Sequence, residues 1–158
     1  RALIKVGYSP KQFFQASSPS FADQFSNAIG LKNTEGIFYA VSYHVDAKTP
    51  GNEDFLAAYR AKYNTDPPED AADAYAAAQV LQAAVEAGGD IDQDKIRDCL
   101  HNNVFLGGDE PGVLIDTYVY DSGDADRPSF IVEVKNQKSQ VAKVLPLLGG
   151  PYTKRACP

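Results

Sequence analysis

The chain has 158 residues, 44% of them hydrophobic and 11% aromatic, which suits a globular domain with a buried core and excludes a disordered one. Its net charge is −6 at pH 7 and its longest basic run is the pair Lys154-Arg155, so it has no phosphate-binding stripe, and nucleic acid and anionic membranes are poor partners. No apolar run approaches the roughly 18 residues of a membrane span.

No secretory leader is legible at the start of the sequence. Residues 1–7 read instead as the last turns of a helix with Gly7 as its C-cap. So short a helix does not nucleate alone, and the chain is expected to begin inside a domain. Tyr8-Ser9-Pro10 is a turn and residues 12–16 a strand. Ser18 and Pro19 suit the N-cap and first position of a helix whose Phe21, Phe25 and Ile29 form one stripe, closed by Gly30. Residues 37–41, Ile-Phe-Tyr-Ala-Val, predict a strand buried on both faces, as in a parallel sheet.

Residues 42–50 form a polar connector with His44, Asp46 and Lys48. Thr49-Pro50 opens a helix marked by Phe55, Tyr59 and Tyr63, and Pro67-Pro68 ends the loop after it. An alanine-rich helix is predicted over 70–87, its alanines favouring the helix and allowing close packing, with Tyr75, Val80, Leu81, Ala84 and Val85 supplying its bulk and Gly88-Gly89 its end. Asp92 caps a shorter helix carrying Ile96, Cys99 and Leu100. The remainder reads as a loop over 107–112, a strand over 113–120, a turn over 121–127, strands over 130–134 and 141–145 around Asn136, and an irregular tail from Gly149. The order β-α-β-α-α-α-β-β-β predicts α/β layering with an antiparallel end.

Chemistry-bearing groups are sparse. His44 and His101 are the only histidines, and a metal site would need them to converge with carboxylates such as Asp46 or Asp98. Cys99 and His101 point in different directions on a helix, so they do not form a nucleophile–base pair. Asp121, Asp124 and Asp126 resemble the start of a calcium loop without its closing Glu, and a solvated turn is expected there. No catalytic motif is present and nothing calls for a cofactor. Cys99 and Cys157 are either two unpaired thiols or a disulfide tying the tail to a helix, the latter fitting an oxidising compartment.

Ser17 and Ser18 stand where a strand gives way to a helix, the place where open α/β sheets bind ligands on free N–H groups. N-capping accounts for them equally well. Tyr43, at the end of the second strand, is either a wall for a ligand's carbon skeleton or a packing residue.

The stretches Glu35-Gly36-Ile37-Phe38-Tyr39-Ala40-Val41-Ser42-Tyr43-His44, Thr49-Pro50-Gly51-Asn52, Phe55-Leu56-Ala57-Ala58-Tyr59-Arg60-Ala61-Lys62-Tyr63 and Ala72-Asp73-Ala74-Tyr75-Ala76-Ala77-Ala78-Gln79-Val80-Leu81 carry a resemblance. Their order and spacing resemble the second half of the Leu/Ile/Val-type solute-binding proteins of ABC transporters, and residues 113–146 resemble the family's terminal strands. The resemblance implies a periplasmic-binding-protein type I fold, α/β and Rossmann-like, here incomplete and with antiparallel terminal strands. It divides the chain into the remainder of a second lobe (1–42), a hinge crossover (43–52), a helical part of the first lobe (53–105) and terminal strands with a tail (106–158). It implies a small solute held between two lobes by a protein that is no enzyme, an ABC permease as partner and a periplasmic or extracytoplasmic location. A ligand-sensing domain of the same fold is the alternative.

The resemblance also implies partners for exposed faces: a missing N-terminal segment of the same protein, or a second copy. It places the solute contacts at Ala16, Ser17 and Ser18, with Tyr43 and Asp70 beside them. The family loop matching Ala16-Ser17-Ser18 often holds an acidic residue for a ligand's amino group. Serines there point toward an uncharged polar or carboxylate-only solute. Glu69 or Asp70 is either a substitute charge or an ordinary helix N-terminal carboxylate.

Overall fold

The computed structural model describes residues 1–16, 22–49, 51–101, 105–106, 117–119, 122–149, 152 and 157. In chain order the elements are α1 (Ala2–Lys5), β1 (Phe13–Ala16), α2 (Ala22–Ile29), a 3-10 turn (Leu31–Thr34), β2 (Ile37–Val41), α3 (Asn52–Tyr63), α4 (Glu69–Gly88) and α5 (Gln93–His101). There follow β3 (Phe105–Leu106), β4 (Thr117–Val119), β5 (Ala125–Asp126), β6 (Ser129–Lys135) and β7 (Lys138–Leu145). They form two compact units, Arg1–Val41 with Phe130–Val144, and Ser42–Ser129 with Leu145–Pro158. The terminal strands are therefore divided between the units.

In the first unit, α1 ends as its sequence predicts. Gly7 takes φ +67, its amide donates to the Ile4 carbonyl, and the Tyr8 amide donates to the Leu3 carbonyl, the nested pair of a Schellman cap. Phe25 and Ile29 of α2 are half-buried, and Gly30 at φ +85 closes that helix, its amide donating to the Ser26 carbonyl. Residues 17–21, including Ser18, Pro19 and Phe21, lie outside the described residues.

The sheet of this unit has the order β1-β2-β6-β7. β1 runs parallel to β2 from Phe13↔Ile37 to Ala16↔Ala40, and β2 runs antiparallel to β6 from Phe38↔Glu133 to Val41↔Phe130. Ile37, Tyr39 and Val41 share a buried face with Val134, Val132 and Phe130, while Phe38 and Ala40 are only half-buried. β2 is thus not enclosed on both faces as its apolar run predicts. A mixed sheet with an antiparallel neighbour does not require two fully covered faces. A two-residue turn, Asn136 at φ 52 and Gln137 at φ 61, joins β6 to β7, its two positive φ values suiting the right-handed twist of hairpin strands. The Glu35 carboxylate accepts both turn amides, at 2.8 and 3.0 Å, and these bonds hold its pKa below the usual carboxylate range.

In the second unit, the connector read as polar is largely buried: Ser42, Tyr43, His44 and Ala47 are all inside. Phe55 of α3 meets Tyr43 edge-on, with ring centroids 5.9 Å apart, and packs against Tyr59 and Tyr75. Asn64 takes the left-handed conformation (φ 54) that ends α3. α4 buries Ala72, Ala76, Ala83 and Ala84, whereas Tyr75 and Leu81 are about half exposed. The alanines provide the close packing read for them, letting α5 and the aromatic cluster approach the helix, whereas Tyr75 and Leu81, read as bulk, are not buried. Gly89 in the left-handed conformation (φ 64) ends α4, and Gly88 leaves room for Cys99, whose sulfur would stand 2.9 Å from an added Cβ.

Asp92 caps α5 by accepting the Asp94 and Lys95 amides. Cys99 and Cys157 form a disulfide with Cα atoms 4.8 Å apart, so of the two readings of the cysteines the bridge holds. β3, β4 and β5 form a second, antiparallel sheet. The stretch 121–127 is consequently not all turn, since β5 lies within it. Asp121 and the loop 107–112 lie outside the described residues.

Candidate functional site

The residues singled out for solute contact fall in both units. Ala16 ends β1 in the first unit, is exposed, and stands beside Ala40 of β2. Ser17 and Ser18 lie outside the described residues. In the second unit, Asp70 is exposed in the first turn of α4, and Tyr43 is only 3% exposed. The Tyr43 hydroxyl donates to Asn52 Oδ1 at 2.8 Å, and burial raises its pKa. Tyr43 therefore occupies the aromatic core of its unit.

Glu69, weighed in the sequence as a substitute charge, is engaged inside the unit. Its Oε1 accepts the Ser42 amide at 2.5 Å and the Ser42 hydroxyl at 2.7 Å. One turn along α4, Asp73 Oδ1 lies 2.9 Å from the same hydroxyl and accepts Arg127 Nη1 at 2.8 Å. Sequence reasoning missed Ser42, Asp73 and Arg127. The four-residue spacing of Glu69 and Asp73, which puts both carboxylates on one helix face, was the available signal. Asn52 was also missed. Its Nδ2 donates to the Val45 and Ala47 carbonyls at 3.0 and 2.9 Å, fixing the connector that carries His44.

His44 is buried and its Nδ1 accepts the Asp46 amide at 3.2 Å. A nitrogen that accepts cannot also carry a proton toward the Asp46 carboxylate 3.7 Å away, so the ring is neutral and the contact is no ion pair. Burial lowers the His44 pKa, with Asp46 opposing. The neutral form is thus favoured on folding, and the unfolded chain binds the extra proton. The stability this contributes is complete above the ordinary histidine pKa, near 6.5, and is lost as pH falls below it. Thermal melts between pH 7.5 and 5.5 should show Tm falling toward acid, with the slope reduced in His44→Gln. An unchanged slope in that variant would remove His44 from the account.

Asp126 is 4% exposed, so it is not part of the solvated turn expected for the acidic residues 121, 124 and 126. Its carboxylate accepts the Leu148 and Gly149 amides, both at 2.9 Å, and the Tyr152 hydroxyl at 2.7 Å. Asp124 is exposed and does fit a solvated turn. Nothing in the sequence marked Asp126, because its partners lie 22 to 26 residues away. A cavity of about 620 Å³ opens in the same unit, lined by apolar residues such as Val80, Leu81, Ile96, Leu100 and Val119 together with Asp73 and Arg127. Cys99 has no free thiol, so it cannot be a nucleophile. Among the described residues no group of three or more His, Cys, Asp or Glu could hold a metal ion, and no helix is long and apolar enough to cross a membrane.

Comparison with known proteins places this geometry. The family model described as periplasmic binding protein matches residues 1–140. A search of curated proteins found no matching relative. Among solved structures, a leucine binding protein of Thermotoga maritima superposes with a TM-score of 0.76 at 23% identity, covering 92% of this chain and 40% of the other. The branched-chain amino acid transporter substrate binding protein LivJ of Streptococcus pneumoniae, in complex with isoleucine, gives 0.75 at 20% identity, with the same coverage of 92% and 40%. A solute binding protein of an ABC transporter from R. palustris, in complex with benzoate, gives 0.58 at 20% identity, covering 80% of this chain and 34% of the other. The chain spans about two fifths or less of the length of these structures. It has the α/β type I fold of periplasmic binding proteins, in part and with a mixed sheet. A family match over nearly the whole chain, on two units each built around its own sheet, means that the chain belongs to the periplasmic binding protein family.

Proposed function

We propose that the chain is part of an extracytoplasmic solute-binding protein that delivers a small amino-acid-like or organic-acid solute to the permease of an ABC importer, without catalysing a reaction. The family match over residues 1–140 carries this reading. The division into two units, with three connections where β2 leads out at Ser42, β6 leads back and β7 leads out again at Leu145, supports it. In this reading residues 1–42 belong to the second lobe, 43–52 to a crossover, 53–105 to the helical part of the first lobe and 106–158 to the terminal strands and tail. The disulfide fits an oxidising, periplasmic location. The missing N-terminal part of the same protein, or a second copy, would cover apolar surfaces such as the cavity beside α4 and α5.

The solute contacts are proposed at the carboxyl end of β1, with Ala16, Ser17 and Ser18 offering backbone N–H and hydroxyl donors to a carboxylate. Asp70 is proposed to act by its exposed charge, while Tyr43 serves the core of its own unit. Relatives holding isoleucine and benzoate define the panel to try. Calorimetry of the full-length protein should find one of these solute classes bound, and Ser17→Ala should weaken that binding by about 0.5–1.5 kcal/mol, the net worth of a neutral hydrogen bond. Unchanged affinity would remove Ser17 from the site. Failure of every branched-chain amino acid and aromatic acid to bind would count against the carrier reading itself.

A further inference from the structure

We infer that Asp73 is a clip that holds two of the three chain connections, those at Ser42 and beside Arg127, onto the second unit, and so sets where each of the two is free to flex. β2 and β6 are antiparallel neighbours whose last register pair is Val41↔Phe130. The chain enters the second unit at Ser42, next to Val41, and leaves it just after Arg127, three residues before Phe130. These two residues, 85 positions apart in sequence, meet on one atom. Asp73 Oδ1 lies 2.9 Å from the Ser42 hydroxyl and 2.8 Å from Arg127 Nη1.

The chemistry is that of a shared acceptor. A serine hydroxyl has one proton, and here two carboxylate oxygens stand within reach of it, Glu69 Oε1 and Asp73 Oδ1. Glu69 also accepts the Ser42 amide, so the entering strand is held by its backbone as well as its side chain. Arg127 supplies the cation beside this carboxylate pair. Its side chain and that of Asp73 are each about one-third exposed, 34% and 32%, so the pair is only partly screened by solvent. Glu69 and Asp73 both sit on α4, whose alanine face packs into the core of the unit, and the anchor is therefore rigid. Flexing is left to the links between the clip and the β2–β6 ladder, the junction of Val41 with Ser42 on one side and residues 128–129 on the other. In a carrier these are hinge positions. That consequence rests on the proposed function, whereas the clip itself does not.

Hydrogen exchange read by mass spectrometry on this chain, without solute, tests the clip separately from solute binding. Asp73→Ala should speed exchange about tenfold in peptides covering both 42–45 and 126–129, the loss of one charge-assisted bond on each side, while peptides of α5 stay within about twofold of the parent. Asp73→Asn, which keeps an acceptor oxygen but not the charge, should fall between the two. Ser42→Ala should loosen mainly 42–45 and Arg127→Gln mainly 126–129. Should Asp73→Ala fail to fold, this second pair of variants carries the same comparison. Exchange unchanged in either segment for Asp73→Ala, an equal rise in α5, or single variants that each loosen both segments alike would overturn the clip.

Discussion

Replacing Cys157 with Ser, or reducing the bridge in the parent chain, should lower the unfolding free energy by about 2–4 kcal/mol. Cys99 and Cys157 are 58 residues apart, and the chain-entropy treatment gives about 4 kcal/mol for closing a loop of that length. Measured bridges often deliver less, which sets the lower bound. The bridge also completes a packed cluster in which Cys99, Ala83 and Ala84 are buried and Val80, Ile96, Leu100 and Cys157 pack against them. Loss of the bond therefore frees the tail and loosens an apolar contact together. Two observables separate these. Denaturant titration with and without reductant should shift the midpoint in the parent and leave Cys99→Ala/Cys157→Ala unmoved. Gly88→Ala should weaken the oxidised protein, because its Cβ would stand 2.9 Å from the Cys99 sulfur. An unaltered midpoint on full reduction would contradict the assignment of stability to this bridge.

The fold was legible where a local rule decides it. Gly7, Gly30 and Gly89 take positive φ at helix ends, and Asp92 caps α5, all from signals read within a turn of each residue. The resemblance read from residues 35–81 agrees with a family match that extends over 1–140. What failed was inference about partners distant in sequence. Which residues of α4 face the core depends on what packs against them, so the alanines were legible as close-packing residues while Tyr75 and Leu81 were not legible as half exposed. Asp126 looks like any loop aspartate until Leu148, Gly149 and Tyr152 are brought to it. The connector over 42–50 reads as polar because of His44, Asp46 and Lys48, yet Ser42, the Tyr43 hydroxyl and the Val45 and Ala47 carbonyls are satisfied inside through Glu69 and Asn52, with Asp46 and Lys48 left exposed. Of the proposed contacts, Ala16 was placed by a strand end the sequence does mark, whereas the burial of Tyr43 required Phe55 and Asn52 to be seen around it.

Asn52→Ala should cost about 3 kcal/mol or more. Asn52 is 1% exposed and sits at the start of α3. Its Oδ1 accepts the Tyr43 hydroxyl at 2.8 Å, and its Nδ2 donates to the Val45 and Ala47 carbonyls at 3.0 and 2.9 Å. Only an amide can do this. The two carbonyls need two donors from one nitrogen, and the hydroxyl needs an acceptor on the other arm. Truncation leaves a hydroxyl and two carbonyls unpaired in a dry site, at about 1 kcal/mol or more each, and opens a void beside them. Asn52→Asp is the more diagnostic change despite its equal size. It turns the donor toward Val45 and Ala47 into a second acceptor and places a charge where water is excluded, so it should destabilise at least as much as alanine at pH 7 and recover in part as acid protonates it. Tyr43→Phe removes one bond only and should cost about 1 kcal/mol. The double-mutant cycle between Asn52→Ala and Tyr43→Phe, measured by denaturant unfolding, should give a coupling of about 1 kcal/mol. If Asn52→Ala costs less than about 0.5 kcal/mol, or the cycle closes with no coupling, then the connector after β2 is held by something other than this amide.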